Sequence, residues 1–221
     1  MHPSASHLIA LLSTLLLGCA ASGQSTPPSD AVDGLGAESI DTTAFSSVAA
    51  QCTCYVDIKV GKAHGIVVRS RDEALSDVKV EVEDDTLKLQ FLPSSIEHAR
   101  APVHFQVTVP ELRAVDAKIV TQMTVEGMSG QDLSVSADGA SQVEVAGDVQ
   151  TLHAELHNRA RLDARALRAT DVEITIDGRG EAEVSARELL RASVYRFGKV
   201  WYHGEPKALD VEHGRRRVRP G

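Results

Sequence analysis

Three carboxylates recur at a nearly constant spacing in the C-terminal half of the chain. Glu144, Asp163 and Glu183 are separated by 19 and 20 residues. If strands stack once per repeat, this spacing places the three carboxylates in one outward column. Such a column predicts binding of a hard cation such as Ca²⁺, or of a sugar. The alternative is that Arg161 and Arg165 neutralise the carboxylates on a solvated face, because like charges stacked directly are destabilising.

A single tryptophan, Trp201, lies near the end of the repeats. We expect His203 to continue the carboxylate column, and a neighbouring column to consist of Gln142, Arg161, Glu181 and Trp201. Beside Arg196, Lys199 and His203, an exposed Trp201 is a candidate contact for a glycan or a protein. The alternative is that Trp201 covers the last coil. Strand alternation predicts that Tyr202 faces inward.

Cys52 and Cys54 are separated by one residue. In an extended strand both thiols lie on one face with Cα atoms about 6.6 Å apart, at the outer limit for a disulfide. Two buried thiols and one bridge at a local kink therefore both remain open. The sequence predicts no metal site, no cofactor and no catalytic residues, since it contains no Cys-x₂-Cys pair, nucleophile elbow, phosphate-binding loop or dinucleotide motif.

The third cysteine, Cys19, follows an apolar run of ten residues, Leu8–Leu17. This run is too short to span a bilayer, which needs roughly 20 residues, and has the length of a signal-peptide core. The segment Leu16-Leu17-Gly18-Cys19-Ala20 resembles a bacterial lipobox, which implies that Cys19 carries lipid. The alternative is an ordinary cleaved signal peptide. We therefore predict a lipoprotein signal segment over 1–19, a flexible linker over 20–44, and a lipid-anchored protein at the outer membrane, periplasmic or surface-facing.

A repeat of about twenty residues must position the candidate residues. Four turn dipeptides mark it, Asp138-Gly139, His157-Asn158, Asp177-Gly178 and Phe197-Gly198. Glycine and asparagine adopt positive φ most readily. We therefore expect one left-handed corner per coil, at Gly139, Asn158, Gly178 and Gly198.

Apolar and polar residues alternate on both sides of each corner, as in Leu133, Val135 and Ala137 or Val172, Ile174 and Ile176. Period-two alternation predicts half-buried strands. The segment 159–168 has good helix propensity, but Ala160, Leu162, Ala164 and Ala166 also alternate and align with the strands of the adjacent repeats.

The alternation and the fixed period together predict an all-β fold, a right-handed parallel β-helix (β-solenoid) of about 20-residue coils. It would span 45–214, with irregular first coils that cap one end and a basic tail over 215–221. An antiparallel sandwich is less consistent with the sequence, because few Asn-Gly hairpin signals separate the runs. The formal net charge of −8 argues against nucleic acid as a partner.

Several motifs resemble those of a known family. They are Val56-x-Ile58, Val107-x-Val109-Pro110-x-Leu112, and the closing Gly198-x-Val200-x-Tyr202-x-Gly204-x-Pro206. They are similar to the auto-transporter adhesin, head GIN domain family of cell-envelope proteins, over about Phe45 to Val211. The resemblance implies a parallel β-helix that is lipidated or membrane-tethered, with no established catalytic residues.

The predicted function is a non-catalytic, lipid-anchored envelope protein that presents a β-solenoid surface for adhesion, binding or scaffolding. Its expected partners are the membrane, through the N-terminal lipid, and a glycan or envelope protein, while the oligomeric state stays open. One alternative is a β-helix polysaccharide-processing enzyme, which would need a deep groove lined by carboxylates. Another is an accessory subunit that docks on a membrane partner.

Overall fold

The computed structural model describes residues 36–70, 78–91 and 103–221. The predicted signal segment, Cys19 and most of the predicted linker lie outside this range. The strands, numbered in chain order, are β1 Gly36–Ile40, β2 Ser47–Cys52, β3 Cys54–Val60, β4 Gly65–Ser70, β5 Val78–Glu83, β6 Thr86–Phe91, β7 Val103–Val109, β8 Ala114–Ile119, β9 Gln122–Ala137, β10 Gln142–Asn158, β11 Arg161–Gly178, β12 Glu181–Arg196, β13 Lys199–His203, β14 Ala208–His213 and β15 Val218–Pro220. None of these residues belongs to a helix that is long and apolar enough to cross a bilayer.

The chain winds into a parallel β-solenoid of about five turns with a spacing of about 20 residues, which confirms the predicted fold class. Strands β9, β10, β11, β12 and β13 pair in parallel along the stack. Inward positions alternate along each strand and form one continuous core of Val, Leu, Ile and Ala. The period-two pattern thus supplies the apolar interior that holds successive coils together.

A bulge interrupts each long strand near its middle. The register between β10 and β11 shifts between Glu144 and Gly147, and a similar shift follows Ala164 in β11. A bulge adds a residue to one strand and so reverses the side to which later residues point. The prediction that Ala166 continues the inward series is therefore wrong, because Ala166 is exposed and Leu167 is buried.

One column of corners has positive φ in every coil from β8 onward. Its members are Ile119, Gly139, Asn158, Gly178 and Arg196, with φ of 71°, 76°, 58°, 139° and 59°. The residue after each corner donates its amide hydrogen to the corner carbonyl of the coil before, as from Arg159 to Gly139 at 2.9 Å. Three of the four predicted corners therefore lie in this column.

The prediction of a fourth corner at Gly198 is wrong, because Arg196 pairs with Gly178 and occupies that position between β12 and β13. Gly198 is buried instead, and a Cβ atom there would lie 2.6 Å from Cγ2 of Ile176. The requirement for glycine at 198 is therefore one of packing. The sequence could not separate the two reasons, because both give a glycine at the twenty-residue spacing.

The N-terminal coils are irregular. The coil of β2 and β3 lies between β6 and β7 on one side and β8 and β9 on the other, so the chain passes over one coil between β7 and β8. Strands β1 and β4 add antiparallel pairings beyond β7, and β5 pairs antiparallel with β6. Because β1 begins at Gly36, the linker predicted over 20–44 is too long at its C-terminal end.

Cys52 and Cys54 form a disulfide with Cα atoms 5.4 Å apart. Of the two possibilities left open by the sequence, the bridge at a kink is the one observed, since Thr53 separates β2 from β3. Cys52 pairs with Ile119, so the disulfide spans the same corner column that later coils close with positive φ.

Candidate functional site

The outward residues of the strands that follow the corners form a continuous two-column surface, here called the ladder face. Its first column is His104, Tyr55, Gln122, Gln142, Arg161, Glu181 and Lys199, and its second is Gln106, Asp57, Thr124, Glu144, Asp163, Glu183 and Trp201. Each strand contributes one residue to each column, and this pair is here called a rung. Strand pairing places successive rungs about 4.8 Å apart. The predicted site residues Glu144, Asp163 and Glu183 are therefore neighbours, as the repeat indicated.

The last rung differs from the expected one. Trp201 pairs with Glu183 and stands in the carboxylate column, whereas His203 pairs with Ser185. The predictions that Trp201 follows Glu181 and that His203 follows Glu183 in register are both wrong. From Glu183 to Trp201 the spacing is 18 residues, two fewer than in the preceding coil, and these missing residues moved the predicted register.

The middle of the ladder face is a shallow groove of about 280 Å³. Its polar lining comes from both columns, with Trp201 at one end; the polar residues are Gln122, Thr124, Gln142, Glu144, Arg161, Asp163, Glu181 and Glu183. Trp201 is partly exposed, while Tyr202 packs partly buried against the core, as strand alternation predicted.

One arginine, Arg165, pairs with two of the three predicted carboxylates. Arg165 pairs with Asp163 at 2.5 Å and with Glu183 at 3.4 Å. The hydrogen bond from Arg165 is the main reason that the pKa of Asp163 lies below its usual value. In the part of the chain that the structure describes, no group of three or more His, Cys, Asp or Glu side chains is arranged to hold a metal ion. The pairing of Arg165 is the one that the charge-neutralising alternative predicted for this face.

The first column is paired in the same way. Glu181 forms an ion pair with Arg161 at 3.2 Å and accepts a hydrogen bond from Lys199 at 3.3 Å. At the opposite end of the ladder face, partial burial raises the pKa of Asp57. The charge of His104 acts to lower this pKa, and the charge of Glu126 acts to raise it. The first column therefore carries charges of both signs, the second carries successive carboxylates, and both have many hydrogen-bonding groups.

Aromatic side chains stand at both ends of the ladder face. Tyr55 stacks on His104 with ring centroids 4.5 Å apart, and Lys199 lies 5.5 Å from the centroid of Trp201. Five strand spacings separate the coil of Tyr55 from that of Trp201, about 24 Å. Sequence reasoning missed Tyr55, Gln122 and Thr124, because the irregular N-terminal coils give no repeat from which their register could be deduced.

The chain matches the model of a known protein family over most of its length. The profile described as putative auto-transporter adhesin, head GIN domain, matches residues 44–206. The chain belongs to this family. The resemblance noted in the sequence is thereby confirmed, and membership in the head GIN domain family makes the chain adhesin-like and indicates an exported envelope protein. No curated protein matches the chain.

Solved structures share the head GIN fold. A putative adhesin from Bacteroides fragilis NCTC 9343 is similar with a TM-score of 0.62 and 21% identity, over 86% of this chain and 94% of that one. A putative adhesin from Parabacteroides merdae ATCC 43184 gives 0.52 and 13%, over 86% and 97%. Another from Parabacteroides distasonis ATCC 8503 gives 0.52 and 16%, over 86% and 98%. At these identities the similarity shows the fold alone.

Proposed function

We propose that this head GIN protein is a non-catalytic, lipid-anchored cell-envelope protein that binds an extended glycan along its ladder face. The observation that carries the proposal is the uninterrupted series of rungs from Tyr55 to Trp201. Evenly spaced hydrogen-bonding groups suit a ligand that itself repeats. An aromatic ring at each end offers a flat apolar surface on which a sugar ring can stack.

The shape of the groove favours binding over catalysis. The groove is shallow, and Arg165 pairs with Asp163 and Glu183, the carboxylates that a polysaccharide-processing enzyme would need. Several weak contacts along an open surface instead give avidity to a long polymer. The adhesin-like family is consistent with this use.

Calorimetry with the full chain and neutral polysaccharides of increasing length tests the proposal. We expect affinity to rise with chain length, and Tyr55→Ala to weaken binding about fivefold, since a lost aromatic contact is worth about 1 kcal/mol. Tyr195→Ala is the matched control, because Tyr195 packs on His213 at 4.6 Å and lies outside the ladder face. Equal losses in the two variants, or no dependence on polymer length, would overturn the proposal.

The proposed anchor is the lipid on Cys19. An acyl group contributes about 0.8 kcal/mol per buried CH₂, so that several chains hold a protein stably at a membrane. We expect wild-type protein in the membrane fraction and globomycin-sensitive processing, both lost in Cys19→Ala. Unaltered processing of Cys19→Ala would exclude the anchor, and co-purification of a stoichiometric membrane protein would favour the accessory-subunit alternative.

A further inference from the structure

The C-terminal arginine run is an ordered part of the solenoid. Residues Arg215–Arg217 form a 3₁₀ turn, and β15 then pairs in parallel with β13, Val218 beside Val200 and Arg219 beside Trp201. Val218 is only 8% exposed. The basic tail predicted over 215–221 is therefore part of the stack, because a buried valine and the edge of β13 hold the run in place.

The folded run forms one wall of a cleft of about 160 Å³ at the end of the stack. The cleft is lined by Phe197, Lys199, Trp201, Arg216, Arg217 and Arg219. Phe197 is 65% exposed, and the guanidinium groups of Arg179 and Arg217 each lie 5.6 Å from its ring centroid. Two accessible aromatic rings thus stand among cations.

Most of the positive charge at this cleft has no partner carboxylate. Lys199 is paired with Glu181 at 3.3 Å. Among the residues that the structure describes, the lining residues Arg216, Arg217 and Arg219 take part in no ion pair, nor does Arg179, which lies over the ring of Phe197. Guanidinium groups have five donors and no acceptor. In a protein of net charge −8, this end of the stack therefore carries a local excess of positive charge.

We propose that the cleft binds the acidic group of an acidic polysaccharide. A guanidinium fork matches the planar geometry of a carboxylate or the oxygens of a sulfate or phosphate. The rings of Phe197 and Trp201 offer a stacking surface for the sugar that bears the group. The cleft shares Lys199 and Trp201 with the end of the ladder face and adds three arginines, so it selects an acidic glycan or the acidic part of a glycan that also lies along the ladder face.

The form of the basic site favours a polysaccharide over the anionic surface of a membrane. The guanidinium groups line a cleft of about 160 Å³ beside two aromatic rings, which suits one acidic sugar of a polymer rather than a flat layer of headgroups.

The test measures binding of the full chain to polygalacturonate, with dextran as the neutral polymer. The double variant Arg179→Gln/Arg216→Gln removes two exposed guanidinium groups, and we expect about tenfold weaker binding and a smaller dependence on salt. Phe197→Ala should weaken binding about threefold, since it removes a stacking surface rather than a charge. Arg168→Gln/Arg187→Gln changes the net charge equally on another side of the coil and should have little effect.

Equal losses in both arginine double variants would overturn the proposal in favour of non-specific charge attraction. Unchanged binding by Phe197→Ala, or equal binding of dextran and polygalacturonate, would also contradict it. Vesicles containing phosphatidylglycerol test the membrane alternative. That alternative is supported if Arg179→Gln/Arg216→Gln weakens binding to the vesicles more than it weakens binding to polygalacturonate. Failure of the proposed glycan binding on the ladder face is distinguishable from failure of this proposal. Binding on the ladder face is measured with neutral polymers and with Tyr55→Ala.

Discussion

Ile119 occupies the first positive-φ corner, at φ 71°, although it is a β-branched residue. The left-handed region costs an L-residue roughly 1–2 kcal/mol, and most for a branched side chain. Ile119 is 54% exposed, so little burial offsets this cost. A corner of this kind cannot be predicted from residue type, and the stacking of the adjacent coils imposes it.

Replacement of Ile119 by glycine should therefore stabilise the protein. We expect the free energy of unfolding to rise by about 1 kcal/mol in urea titrations, because glycine adopts positive φ without steric conflict. Val120→Gly is the control, since Val120 is exposed and has no positive φ. It should lower the stability by about 0.5–1 kcal/mol. A lower free energy of unfolding for Ile119→Gly than for the wild type would contradict backbone strain at Ile119.

Asp138 organises the next corner. Its Oδ1 atom accepts hydrogen bonds from the Gly139 amide at 2.6 Å and from the Asn158 side chain at 2.5 Å. These bonds, the Asn158 bond first, lower the pKa of Asp138 below its ordinary value of 3.8. The carboxylate thus connects two successive corners of the column.

Removal of this carboxylate should have a pH-dependent cost. A depressed folded pKa contributes stability that is fully present above pH 3.8 and is lost as the pH falls below it. We expect Asp138→Ala to lose about 1 kcal/mol at pH 7, with a smaller difference from wild type at pH 3. Urea titrations at both pH values measure it. Asp132→Ala provides an exposed carboxylate for comparison, and a pH-independent difference would exclude the charge-assisted bond.

At the scale of elements, β15 completes the end of one side of the solenoid. It covers the edge of β13, and its own outer residues include Arg219 and Pro220. Charged residues and proline on an edge strand discourage pairing with another chain, because proline has no amide hydrogen to donate. The arginine run therefore both lines the cleft and protects the stack.

Deletion of residues 215–221 should expose the edge of β13. We expect self-association that increases with protein concentration, measured by analytical ultracentrifugation. The emission of Trp201, the single tryptophan, should also change, since Trp201 lies beside Arg219. Arg216→Gln keeps β15 and should remain in the wild-type association state. A monomeric truncated chain would show that β15 has no protective role.

At the scale of the molecule, each regular coil contacts only its neighbours. The large interfaces are those between β9 and β10, β10 and β11, and β11 and β12. Stability in such an array is approximately a sum over coils and their interfaces. A whole coil can therefore be removed without loss of the interior pattern on either side.

Deletion of 161–180 joins Ala160 to Glu181 and removes one coil in register. We expect a folded protein with one cooperative transition and a denaturant m-value lower by about a tenth, in proportion to the surface lost. Deletion of 161–170 removes half a coil and places later strands on the wrong side, so we expect no cooperative unfolding. Circular dichroism in urea compares them. Equal behaviour of the two deletions would contradict the nearest-neighbour arrangement.

The sequence by itself determined the coil, its period and its inward residues. Alternation in segments such as Val172, Ile174 and Ile176 leaves one apolar side, and a repeat of about twenty residues brings those sides into one core. The closeness of Glu144, Asp163 and Glu183 follows from the same period. This information is local and repeated, so each coil supports the interpretation of the next.

Only the tertiary structure decided the register at the ends of the stack. Trp201 stands beside Glu183, and Arg196 forms the corner between β12 and β13. Both positions follow from a coil that is two residues shorter than the one before, and the sequence does not show where those residues are missing. The place of Tyr55 depends on a coil that pairs out of chain order. The arginine run became a wall of a cleft because Val218 is buried against strands that are distant in sequence.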